Sequence, residues 1–380
     1  MRRTAITPRN NWQAEVEKYG MIYHHTGGEV YWNESAYYSI TPAEVMAIEA
    51  ATTAWREMAL LAVQVIIDND RFGELEIPPS AIPLIIESWN GDVPSIYGRF
   101  DLALVNGVPK LLEYNADTPT MLLEAAVIQW QWKEMCFPTA DQFNSLHEQL
   151  IAKWTSLIPY ITQPVYFAAL ESVEDLMTTT YLRDTAIQAG VTTEALRIED
   201  IGWHPTRGFT GLQERSIKTI FKLYPWEWLL KDDFSTHLDP SVQWIEPPWK
   251  MLLSNKGILP ILWQLFPNHP NLLAAYRRPD ELKSGWVKKP LIGREGENIE
   301  IQAPGSRTTP GIHVTMPGGY GDAGFIYQAY APLPVHDGCH VVIGSWEVDG
   351  TPAGVGIRES RGPVTVNASP FVPHIIRSET

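Results

Sequence analysis

Arg99 and Asp101, then Glu113 and Asn115, punctuate one short stretch of chain, GRFDLALVNGVPKLLEYNADTPT. On a strand, residues two apart share a face. Two carboxylates and a carboxamide oxygen in such a pattern are hard donors. They suit Mg²⁺, which binds through a few carboxylates, substrate phosphates and water. A guanidinium beside them is a two-pronged donor for phosphate or carboxylate. The same residues would also serve as a solvated strand face with ordinary surface ion pairs, and this pattern leaves both readings open.

The turn decides which side chains share a face. A two-residue loop at Asn106-Gly107 pairs Val105 with Val108. A three-residue loop, Val105-Asn106-Gly107, pairs Leu104 with Val108 and places a bulge beside the turn. The longer loop collects Arg99, Asp101, Leu111, Glu113 and Asn115 on one face, with Phe100, Leu102, Leu104, Leu112 and Tyr114 opposite. The shorter loop mixes the faces and buries charge without a partner. Patterning therefore predicts the bulged three-residue turn.

Further cations follow. Lys288-Lys289-Pro290 ends a strand-like segment and leads into Gly293-Arg294-Glu295-Gly296-Glu297-Asn298. A lysine at a strand end with a Gly-rich loop can hold and cover phosphates, although two glycines among charges also make a plain surface turn. Neither a P-loop nor a dinucleotide fingerprint is present. Lys256 follows Ser254-Asn255, with Ser254 a candidate cap, at the start of a helix-like run. There a lysine opposes the helix dipole unless an anion or solvent offsets it. Gln328, in FIYQAY, is a candidate for a base edge, and Arg358 ends a late strand. No GxSxG and no HExxH occurs, and His269, His313, His336, His340 and His374 read as loop or core residues. Together the oxygen-rich hairpin, the lysines and the loop favour Mg-ATP chemistry.

These groups need a scaffold. Residues 42–71 predict a long helix, and Asp117-Thr118-Pro119 reads as the cap of another through MLLEAAVIQWQWKE. PVYFAAL, a helix around EDLMTTTYLRDTAIQAG, and EALRIEDI form a βαβ-like unit. The last third is strands and turns, with Asp349-Gly350 a hairpin turn. The chain reads as three parts: 1–145, a helical region with the hairpin; 146–250, an α/β part; and 251–380, a strand-rich part with the lysines and the Gly-rich loop.

Composition narrows the function. Of 380 residues, 44% are hydrophobic, enough for a substantial core, and 44 acidic against 29 basic residues give a formal charge of -15. That balance disfavours nucleic acid and an anionic membrane surface. No apolar run near the front is long enough to span a bilayer, and Cys136 and Cys339 make no disulfide framework. A cytoplasmic setting is expected. Oligomeric state is not legible.

The hairpin stretch, PPWKMLLSNKGILPILW, KKPLIGREGENI and VIGSWEVDGTPAGVGIRES resemble the synthetase domain of the glutathionylspermidine synthase family, ATP-grasp carbon–nitrogen ligases. The resemblance implies an α/β, ATP-grasp-like fold in that family's permuted order, with an inserted α/β substrate domain at 146–250 and the nucleotide-binding and C-terminal catalytic part at 251–380. It implies ATP and Mg²⁺ as cofactors. Asp101, Glu113 and Asn115 match metal-binding positions. Arg99 matches an arginine near the transferred phosphate and acyl substrate. Lys256 and Lys289 match phosphate-binding lysines, Arg358 a late active-centre arginine, and the loop with Gly293, Arg294, Glu295 and Gly296 the lid over ATP. The implied reaction joins a small carboxylate or peptide to an amine, with polyamines among the candidates, through an acyl phosphate. The two-domain enzymes carry an N-terminal cysteine amidase, for which this sequence has no room. The alternative is a nucleotide-binding regulatory protein that keeps the fold without turnover.

Overall fold

The computed structural model describes residues 1–304, the backbone of 312–314, and residues 317–377. Thr41 starts helix α1 (Pro42–Asp68) with a capping box: its hydroxyl accepts from Glu44 N at 3.2 Å, and the Glu44 carboxylate accepts from Thr41 N at 2.9 Å. Among the described residues α1 is the one helix long and apolar enough, by length and composition, to cross a membrane. Its inner face, including Ile48, Trp55, Ala62 and Ile66, lies in the main apolar core.

The hairpin follows as β1 (Tyr97–Val105) and β2 (Val108–Asn115). Here the structure corrects the predicted turn. Asn106 (φ 50) and Gly107 (φ 80) are both left-handed, and Val105 pairs with Val108. This is the two-residue turn that Asn-Gly favours, because its twist matches that of the strands. The extra residue lies farther along, at Leu112. Leu111 pairs with Leu102, but Glu113 pairs with Asp101 and Asn115 with Arg99. One inserted residue moves the rest of the strand to the other face. The polar cluster forms as expected, by a different route. Leu111 is therefore a core residue beside Leu102 and Leu104, while Leu112 lines the cavity described below.

Pro119 does not start a helix. The backbone stays irregular to Met121 (φ 71), a π-turn occupies Glu124–Ile128, and an α-helix runs over Gln129–Cys136. Asp117 is unavailable as a cap because its carboxylate accepts from Lys222 Nζ at 2.8 Å and from Trp226 N at 3.0 Å.

A parallel unit comes next: β3 (Val165–Ala169), α2 (Val173–Gln188), β4 (Thr193–Arg197), β5 (Thr219–Leu223) and β6 (Gln243–Ile245), in the order β6-β5-β3-β4. Ser172 caps α2 by accepting from Asp175 N at 3.1 Å. This end carries Glu174 and Asp175.

Ser254 ends a short helix, Met251–Ser254, and does not cap the next one, Ile258–Leu265. An antiparallel sheet then assembles from β7 (Ala275–Tyr276), β8 (Trp286–Pro290), β9 (Glu300–Gln302), β10 (Ile312–Val314) and β11 (Phe325–Ala329), in the order β7-β11-β8-β9-β10. The side chain of His313 lies outside the described residues. Finally β12 (Cys339–Val348), β13 (Thr351–Ser360) and β14 (Phe371–Val372) join the hairpin in the order β14-β13-β12-β1-β2. The early hairpin thus docks on the last strands of the chain.

Candidate active site

The polar face of the hairpin opens onto a cavity of about 320 Å³. Its other walls are β8, β11, the loop after β8, the start of α2 and residues 363–367. All twelve side chains or backbone positions singled out from sequence line it: Arg99, Asp101, Glu113, Asn115, Lys256, Lys289, Gly293, Arg294, Glu295, Gly296, Gln328 and Arg358. Five separate regions of the chain supply them.

Arg99 is held on every side. Its Nε donates to Asp101 Oδ1 at 2.6 Å, one Nη to Asp101 Oδ2 at 3.1 Å, and the other to Thr120 O at 2.8 Å. Gly344, on neighbouring β12, makes room: a Cβ there would fall 2.7 Å from Arg99 Cδ. Asn115 Nδ2 donates to Asp101 Oδ2 at 3.0 Å and approaches Glu113 Oε1 at 3.5 Å. Lys256 Nζ lies 3.1 Å from Glu113 Oε2 and also donates to Gly293 O at 2.8 Å. Lys289 Nζ donates to Gln328 Oε1 and to Leu112 O, both at 2.8 Å. The bulged residue therefore presents its carbonyl to a buried ammonium. Gln328, 2% exposed, spends its amide nitrogen on Leu111 O at 3.0 Å. Its amide is committed at both ends, which makes it a support for Lys289.

Charge follows from burial and neighbours. Burial alone would raise the Glu113 carboxyl, but Lys256 and Lys289 outweigh it and hold it at about 2. Burial lowers the Lys289 ammonium to about 8 against the opposing pull of Glu113. Burial pushes Asp101 upward against Arg99. Arg294 bridges the two halves of the site: it donates to Thr118 Oγ1 at 2.7 Å and pairs with Glu227 at 2.8 Å. Among the described residues Arg358 donates only to backbone carbonyls, of Val366, Asn367 and Ser369, and it lies 5.8 Å from the Tyr31 ring centroid. No side-chain carboxylate neutralises it among the described ion pairs.

Sequence reading missed several neighbours. Glu174 and Asp175 enter the cavity from α2, with burial raising Asp175 to about 6. The Asp117–Lys222 pair, its side chains 2% and 1% exposed, ties the hairpin's exit to β5. Glu124 is buried and accepts from the Tyr31 hydroxyl at 2.9 Å. Only a lysine inside an otherwise apolar strand, IFKL, carried a signal for any of these.

Among the described residues no cluster of three or more His, Cys, Asp or Glu is set for a metal. Asp101 and Glu113 with the Asn115 oxygen still fit Mg²⁺ chemically, because that ion takes one or two carboxylates and completes its shell with phosphate and water.

Comparison with known proteins places the chain. A Haemophilus influenzae protein described as "Putative acid--amine ligase" is 40% identical over 98% of each chain. Crithidia fasciculata trypanothione synthetase is 29% identical over 81% of this chain, and the Escherichia coli bifunctional glutathionylspermidine synthetase/amidase 27% identical over 90%. The chain spans 51% and 59% of the lengths of those two relatives. A solved glutathione synthetase-like effector from Globodera pallida shares the fold at TM-score 0.61, covering 96% of both chains at 10% identity. The family model for the glutathionylspermidine synthase preATP-grasp region matches residues 3–377, and the chain belongs to that family, with an ATP-grasp-like α/β fold.

Proposed function

We propose that the protein is an ATP-dependent acid–amine ligase acting through an acyl phosphate. The observation that carries this is the convergence, in one cavity, of an oxygen-donor hairpin with Lys256, Lys289, Arg99 and Arg358. In the first step a carboxylate oxygen attacks the γ-phosphorus of ATP, giving an acyl phosphate and ADP. In the second an amine attacks the acyl carbon, phosphate leaves, and the amine proton passes to solvent.

Each side chain has a task in this reading. Lys256 and Lys289 hold nucleotide phosphates, and Gln328 fixes Lys289. Arg99 and Arg358 steer the acceptor carboxylate and offset charge that develops as the phosphoryl group moves. Asp101, Glu113 and Asn115 would hold Mg²⁺, which would supply positive charge against the nucleotide phosphates. The loop with Gly293, Arg294, Glu295 and Gly296 covers the site and excludes water, which would hydrolyse an acyl phosphate. Carboxylates Glu174, Asp175 and Glu295 on the cavity wall suit a cationic amine, with polyamines in that class.

The domain reading follows the same logic. The hairpin within 1–145 precedes the nucleotide lysines of 251–380, the permuted order of this family, and 146–250 is the inserted substrate part. A cytoplasmic setting accords with unpaired Cys136 and Cys339.

The test is Mg²⁺-dependent ADP release across a matrix of small carboxylates, peptides, amino acids and polyamines, with mass spectrometry of the product. A mass equal to acid plus amine minus water, formed only with both partners, establishes ligation. Saturable nucleotide binding with no product across the matrix would replace this reading with a regulatory nucleotide binder. A stable phosphorylated product without an amine would replace it with a kinase.

A further inference from the structure

Every carboxylate oxygen on the hairpin face meets a nitrogen donor of the protein itself. Asp101 Oδ1 and Oδ2 accept from Arg99 at 2.6 and 3.1 Å. Glu113 Oε2 faces Lys256 Nζ at 3.1 Å, and Asn115 Nδ2 lies 3.0 Å from Asp101 Oδ2 and 3.5 Å from Glu113 Oε1. A divalent cation on this face must compete with those donors. Arg99 is locked by Thr120 and by the close backbone at Gly344. Lys256 is the donor free to change partners: a flexible stem, one carboxylate and one loop carbonyl, Gly293 O at 2.8 Å.

We propose that Lys256 is an exchangeable counter-ion that competes with the divalent cation for Glu113. Nucleotide phosphate draws Lys256 away, so nucleotide and metal strengthen each other's binding. This rests on the ligase reading in assigning the anion as nucleotide phosphate. The competition for Glu113 rests on the ion pair alone. The coupling is reciprocal: whatever nucleotide does to metal affinity, metal does to nucleotide affinity. Because Lys256 also holds Gly293 O, its exchange acts at the first residue of the covering loop. A lysine that opposed the metal only by like charge would do so whether or not Glu113 were ionised.

The competition gives a mutant effect of unusual sign. Lys256→Met frees Glu113 and removes a positive charge, so Mn²⁺ alone, followed by electron paramagnetic resonance without nucleotide, binds tighter. The expected gain in Kd is at least about tenfold, roughly 1.4 kcal/mol. ADP binding measured in EDTA moves the other way, weakening at least about tenfold. The double variant Lys256→Met/Glu113→Gln loses the Mn²⁺ gain, which locates it at Glu113. Unchanged or weaker Mn²⁺ binding in a Lys256→Met protein with wild-type circular dichroism overturns the proposal, as does a gain that survives in the double variant. Lys256→Gln makes the same comparison where the methionine variant does not fold. Absence of ADP binding by the wild type overturns the nucleotide reading, while the Mn²⁺ comparison still decides the competition for Glu113.

Discussion

Lys289 gives the sharpest test of the phosphate assignment, because its charge changes near physiological pH. It is 6% exposed, and burial lowers its ammonium to about 8, with Glu113 opposing and Lys256 adding to the fall. A phosphate oxygen needs the charged form. ADP affinity measured in EDTA should therefore be full below about 8 and lost as pH rises through that value. A hydrogen bond to a charged group contributes about 1.5–3 kcal/mol, so the loss amounts to roughly 10- to 100-fold in Kd. The terminal phosphate titrates near about 6 and does not intrude on this window. Bound phosphate raises the Lys289 value, so the fall should approach about one decade per pH unit until it levels off. Tryptophan fluorescence is a suitable signal, since Trp228 lines the cavity. Lys289→Met should bind ADP more weakly by the same factor at about pH 7 and show no step above about 8. Glu113→Gln removes the anion that supports Lys289, and the midpoint should move to lower pH. A flat wild-type profile between about pH 7 and 9.5, or a step that persists in Lys289→Met, refutes the reasoning.

Three further predictions concern the frame around the site. Lys222→Met strands buried Asp117 without its partner at 2.8 Å and should cost about 3–5 kcal/mol in urea unfolding; an unchanged midpoint would remove this pair from the account. Burial raises the Glu124 carboxyl from 4.5 to about 7, so the native state prefers it protonated and loses stability as pH climbs across that interval. Glu124→Gln should match wild type at about pH 4 and exceed it by roughly 3 kcal/mol at about pH 8, and equal stability at both would show that this carboxyl is not desolvated. Gly296 has φ +73, and a Cβ there would fall 2.7 Å from Thr365 O. Gly296→Ala should lift the loop off residues 364–365 and raise ADP release uncoupled from amide formation, while unchanged coupling would show that the loop does not shield an intermediate.

Much of the site was legible because its chemistry is carried by residue type. Arg99 and Asp101 alternate on one strand and Glu113 and Asn115 on the next, so alternation puts each pair on one face, and the demand that charge not be buried puts both pairs on the same face. The strand-end Lys289 and the loop after it, the βαβ unit and the Asp349-Gly350 turn were read from local pattern, and local pattern specifies local backbone. The hairpin shows where such reasoning fails. Patterning demanded a bulge, and turn chemistry demanded Asn106-Gly107 alone; both were satisfied by a bulge at Leu112, whose carbonyl accepts from Lys289 on β8. Asp117 similarly looked like a cap from its neighbours, and a lysine far along the chain claimed it.

Residue types and their local spacing therefore specify the chemistry on offer: hard oxygens, two lysines, two arginines and a Gly-rich loop, on strands and turns whose periods are local. Their partnerships come from the packed fold. It set the hairpin beside β12, joined Lys256 to Glu113 and Lys289 to Gln328, and brought Glu174 and Asp175 to the same cavity. Those pairings, and the charge states they impose, depend on distance in space and on exclusion of water. Neither quantity is encoded in the spacing of residues along a chain.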